Sequence, residues 1–146
     1  MDLEALAREL KREHPQGWPS EREGLVSLLV GRGYPQTQAA RLAEALEAQG
    51  YAHFLPGKQS RWVFLSQPLN LKALMRALDQ EYREFVGEGD EEEALAFLTA
   101  RLEGDRAVAQ EVLEALGHAG YVERVYSPEL ERERLLFRFP EALRPL

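Results

Sequence analysis

The sequence predicts an α+β, mainly helical chain of two tandem units, 1–69 and 70–146, each made of three helices closed by a two-stranded hairpin. Three observations lead there. Ala39, Leu42, Ala43 and Leu46 recur at i, i+3, i+4, i+7, the stripe that a helix buries. After them come two short alternating stretches, 51–55 and 61–65, parted by Pro56-Gly57. The whole pattern then returns 70 residues later without a gap. Glu21, Glu23, Leu25 and Leu28 align with Glu91, Glu93, Leu95 and Leu98, and Ala39, Leu46, Gly50 and Tyr51 with Ala109, Leu116, Gly120 and Tyr121.

The elements follow in order. Leu3, Leu6, Ala7 and Leu10 mark a first amphipathic helix that ends before Pro15. A connection over 15–19 leads to Ser20, which with Glu23 has the spacing of a capping box, each side chain answering an orphan N–H. The second helix runs from there to about Gly31, with Leu25, Leu28 and Leu29 inward. Pro35 suits the first turn of the third helix and Gly50 its C-terminal cap. Pro56-Gly57 fits the centre of a type II turn. In the second unit, 71–78 repeats the first helix at a shift of 68, and the hairpin is expected over 121–125 and 134–139 with a longer tip at 127–133. The short junction at 67–70 leaves no room for a flexible tether, so the units are expected to abut.

Helix, helix, short turn, helix, hairpin is the order of a winged helix. The end of the third helix, A-x-x-L-x-x-x-G-Y at 43–51 and the same spacing with Leu113 in place of the alanine at 113–121, carries that resemblance twice over nearly the whole chain. Within the superfamily, Gly24-Leu25-Val26-Ser27-Leu28-Leu29, the Ala-rich third helix and Arg61-Trp62-Val63-Phe64 resemble DEP domains. Both copies lack an aromatic late in the second helix, where Leu28 and Leu98 stand, and the long hairpin insertion between the first two helices. The resemblance implies binding rather than chemistry: a DNA-binding regulator, a protein adaptor or a tethering module.

Composition narrows the choice. The absence of cysteine excludes thiol chemistry and cysteine-held metal centres, and suits a reducing cytosol. Arg far outnumbers Lys and Asn occurs only at position 70, a thermophile-like bias. The first eight residues carry charges at helical spacing without an apolar signal core, and no apolar run approaches about 20 residues, so a cytoplasmic chain that avoids membranes is expected. Glycine-rich phosphate loops and hydrolase or dinucleotide motifs do not occur. His14, His53 and His118 lack a ligand at metal spacing, and the run from Glu88 to Glu93 lacks the alternation of a calcium loop while suiting a helix N-terminus. The reading is therefore a non-enzyme without cofactor or metal.

Charge separates the units. Residues 1–70 hold 8 Lys+Arg and 8 Asp+Glu; residues 71–146 hold 10 and 17. A winged helix reads DNA with the outer face of its third helix. In unit 2 that face holds Glu111 and Glu114, which repel phosphate. Unit 1 offers Gln36, Gln38 and Arg41 for base edges, with Lys58 and Arg61 in the wing, so DNA is open to unit 1 only. Trp62 and Phe64 face one side of their strand and Val63 and Leu65 the other, so an apolar side remains for the second unit, another chain or a partner. Trp62, Phe64, Glu111 and Glu114 are thus the candidate contacts of a protein–protein adaptor with a basic partner. The alternative is a DNA-binding transcriptional regulator working through unit 1.

Overall fold

A computed structural model describes residues 2–83, 90–129 and 131–140. The chain is α+β and mainly helical, and it divides into two compact units, Met1–Leu69 and Asn70–Leu146.

Unit 1 opens with α1, Leu3–Glu13, capped by Asp2, whose Oδ1 accepts the N–H groups of Glu4 (3.0 Å) and Ala5 (3.3 Å). Leu6, Ala7 and Leu10 are its buried face. A two-residue strand, β1 (Trp18–Pro19), precedes α2 (Gly24–Gly31) and α3 (Gln36–Gln49). β2 (Ala52–Leu55) and β3 (Arg61–Phe64) complete an antiparallel sheet of order β1-β3-β2. β1 pairs Trp18 with Trp62 and Pro19 with Arg61. Proline lacks a donor, and an edge strand is where a sheet tolerates it. Leu25, Leu29, Leu42, Leu46, Trp62 and Phe64 share one buried cluster with the α1 face.

Two local expectations change. The capping box does not form: α2 begins at Gly24, Glu23 makes no capping hydrogen bond, and the Ser20 hydroxyl donates to the Glu21 carbonyl at 2.9 Å. The cause is β1, because the Ser20 N–H donates to the Ser60 carbonyl (3.3 Å) and prolongs the strand pairing. The chain also reverses over residues 56–60 instead of at Pro56-Gly57 alone. Gly57 has φ 137°, away from the value of about +80° that a type II turn requires.

Gly50 caps α3 in the left-handed region (φ 88°), with the Tyr51 N–H donating to the Leu46 carbonyl at 2.9 Å. Unit 2 repeats this bond from Tyr121 to Leu116 at 2.9 Å, with Gly120 at φ 82°. Its elements are α4 (Leu71–Arg83), α5 (Glu91–Arg101), α6 (Arg106–His118), β4 (Val122–Ser127) and β5 (Arg132–Phe137). The second hairpin reaches further than expected: Ser127 pairs with Arg132, so strand occupies much of the stretch expected as its tip.

Carboxylates start both α5 and α6. Asp90 accepts the Glu93 N–H (2.8 Å) and Asp105 the Val108 N–H (3.1 Å). Replacing Asp105 with alanine strips α6 of its cap. The expected loss is about 1 kcal/mol, read as a lower midpoint in urea unfolding.

Candidate functional site

In unit 1 the exposed residues of α3 include Gln36, Thr37, Gln38, Arg41 and Glu44. Pro35 stands before the helix and offers no capping side chain. Lys58 is exposed in the β2–β3 loop. Arg61 is engaged differently. Its Nε donates to the Gln59 carbonyl (3.0 Å) and its Nη1 to the Gln16 carbonyl (2.8 Å), so the guanidinium ties the hairpin loop to the segment before β1. Of the residues proposed to meet DNA, Gln36, Gln38 and Arg41 are exposed on α3, with Gln36 and Gln38 on nearly opposite sides of the helix, and Arg61 serves the fold.

Trp62 and Phe64 require a correction. They are 3% and 5% exposed and belong to the core of unit 1, so they offer no surface to a partner. The reason lies in β3 itself, which is the central strand of three. Trp62 lies against Phe54 (5.6 Å between centroids) beneath the Arg22 guanidinium (5.6 Å), and its Nε1–H donates to the Arg22 carbonyl at 2.9 Å. Arg22 in turn pairs with Glu47 at 2.7 Å. Val63 and Leu65, on the opposite side of the strand, are buried as well.

In unit 2, Glu114 is exposed on α6 and accepts a hydrogen bond from the Gln110 amide (3.2 Å), while Glu111 is half-buried. The arginines of this region lie elsewhere. Arg124 of β4 grips Glu91 with two bonds of 2.8 and 2.9 Å, Arg106 grips both oxygens of Glu92 (2.9 and 3.0 Å), and Arg132 of β5 stands 3.5 Å from Asp90. Three consecutive carboxylates at the start of α5 thus collect guanidinium groups from three other elements, and the helix dipole favours them there. Asp90, Glu91, Glu92, Arg124, Glu133, Arg134 and Leu135 line an open cleft of about 240 Å³. The sequence reading recognised the acidic residues as a helix start; Glu88 and Gly89 of that run lie outside the described residues. It missed the arginines, because nothing local ties Arg124 to a residue 33 positions earlier.

The hydrogen bonds from Arg124 hold the Glu91 carboxyl below its ordinary value of 4.5. A carboxylate depressed on folding adds stability above its unfolded pKa and loses it as pH falls through the folded one. Glu91→Gln is therefore expected to flatten the acid limb of the stability–pH curve below about pH 4.5 and to leave its slope near neutrality unchanged, in urea melts across that range.

The histidines are separate. His14 sits edge-on to Trp18 (5.2 Å), His53 Nε2 is 2.8 Å from the Gly50 carbonyl, and His118 lies in the last turn of α6. Among the described residues no three His, Asp or Glu side chains are placed to hold a metal, and no helix is long and apolar enough to cross a membrane. No family model, curated protein or solved structure matches the chain.

Proposed function

We propose that the chain is a non-enzymatic protein–protein adaptor of the cytoplasm, built from two DEP-like winged-helix units, whose second unit receives a basic partner. One observation carries the reading. Arg106, Arg124 and Arg132 pair with the carboxylates that open α5, and Glu114 stays exposed on α6 with a neutral amide as its neighbour. Negative potential there steers a cationic partner inward and slows the approach of a polyphosphate. With Trp62 and Phe64 in the core, the docking surface is polar, and complementarity of charge replaces an apolar anchor.

The test is affinity capture from the source cell. The wild-type chain is expected to retain one basic protein, and Glu111→Lys with Glu114→Lys to release it while the circular dichroism spectrum is kept. Equal retention by the folded double variant would overturn the adaptor reading.

A second reading has an observation of its own. Gln36, Gln38, Arg41 and Lys58 are exposed, and among the described residues none has an ion pair or hydrogen bond through its side chain. Such groups are free to meet base edges and phosphates, as a DNA-binding regulator acting through unit 1 would need.

A further inference from the structure

The registers of the two hairpins bring their strands into correspondence. Ala52 faces Phe64 in unit 1, and its counterpart Val122 faces Phe137 in unit 2. Leu135 therefore stands where unit 1 has Trp62, and Arg134 where it has Arg61. Trp62 and Leu135 are both buried, at 3% and 7% exposure. Backbone groups in an antiparallel pair point alternately toward and away from the partner strand. Leu65 donates its N–H to the Tyr51 carbonyl (2.9 Å), and Arg138 donates its own to that of Tyr121 (2.8 Å). By that alternation Trp62 and Leu135 both turn their backbone groups to the outer side of their hairpins.

In unit 1 that side is filled. β1 pairs with β3 there, and the Arg61 guanidinium donates to the Gln16 carbonyl just before β1 (2.8 Å). In unit 2, among the described residues, no strand lies beyond β5 and no hydrogen bond reaches the outer backbone of Leu135. The Nε of Arg134 is buried, and among the described residues it has no acceptor. Buried backbone groups are almost always paired, so an open ladder edge at a buried residue calls for a partner. Glu133, Arg134 and Leu135 line the open cleft of about 240 Å³ at this place.

We propose that the outer edge of β5 is a docking slot for an extended, lysine- or arginine-bearing segment of a protein partner. The segment adds to the sheet antiparallel to β5, as β1 adds to β3. This inference rests on the adaptor reading and names where the partner is held. One carbonyl of the segment takes the Arg134 guanidinium, as Gln16 takes that of Arg61. Its backbone completes the ladder at Leu135. Strand addition draws affinity from the main chain and specificity from side chains. Here the side chains select cations. Asp90, Glu91 and Glu92 already meet arginines, whereas Glu133 has no ion pair or hydrogen bond among the described residues. That carboxylate is left for the incoming residue.

The full chain is titrated with a short peptide of alternating Lys and Val, and amide exchange is followed by NMR. In the free chain the Leu135 amide is expected to exchange faster than that of Trp62. The peptide should protect it, and the N-methylated form of the same peptide should not. Arg134→Gln should weaken binding about tenfold while the circular dichroism spectrum is kept. A Leu135 amide as protected as that of Trp62 in the free chain would overturn the slot, because the edge would then be closed from within. Equal binding of the N-methylated peptide would overturn it too, since charge alone would suffice. Capture from the source cell separates the two readings. A basic protein held equally by the wild type and by folded Arg134→Gln strikes the slot and leaves the adaptor standing. No basic protein held by the wild type, with the peptide still bound, strikes the adaptor alone.

Discussion

Trp62→Ala should destabilise unit 1 by about 3–5 kcal/mol, the range for removing a buried aromatic. Trp62 is 3% exposed, packs on Phe54, and satisfies its indole N–H at the Arg22 carbonyl. Alanine would leave a cavity beside Phe54, orphan that carbonyl, and remove the ring beneath the Arg22 guanidinium. Small domains hold about 5–15 kcal/mol in total, so the variant should sit near the edge of folding. Urea unfolding followed by circular dichroism reads the change. The control is Lys58→Ala in the exposed loop, expected to stay within about 0.5 kcal/mol. A folded Trp62→Ala with wild-type stability and lost partner capture would return this residue to the docking surface.

Gly50→Ala carries two separate costs. The residue sits at φ 88°, where an L side chain loses about 1–2 kcal/mol. A Cβ there would also lie 2.4 Å from the Leu69 carbonyl oxygen and 2.8 Å from its nitrogen, and both are backbone atoms. Leu69 donates its N–H to the Gly50 carbonyl at 3.1 Å, so relief of the clash stretches that bond. Gly33 separates the two terms, having φ 104° and nothing within 4 Å of its built Cβ. Gly33→Ala should cost the conformational part alone, about 1–2 kcal/mol, and Gly50→Ala distinctly more, with thermal melts ranking the pair. Equal losses would mean that the chain at Leu69 yields freely.

What could be read in the sequence was what neighbouring residues decide. The stripe of α3, its end at Gly50 and the junction near 69 and 70 each depend on residues within a few positions. β1 escaped because a two-residue strand has no alternation, and its existence depends on Trp62, 44 positions beyond Trp18. That strand undid the Ser20–Glu23 cap and made β3 central. The apolar character of Trp62 and Phe64 was visible, and their destination was not. Two-sided apolar strands arise from burial on both faces as readily as from docking. For the acidic unit, the excess of carboxylates was plain from counting. Which carboxylates are paired needed three dimensions: Glu91, Glu92 and Asp90 collect the arginines, and Glu114 stays open.

That distribution of charge sets the central claim, that the chain works by holding a protein and not a nucleic acid. A gel-shift titration with sheared genomic DNA at low salt tests it most directly, since phosphate attraction is strongest there. The account predicts that the duplex runs at its free position. A retarded complex that weakens steeply with added salt, and vanishes when Arg41→Ala and Lys58→Ala are combined, would contradict it.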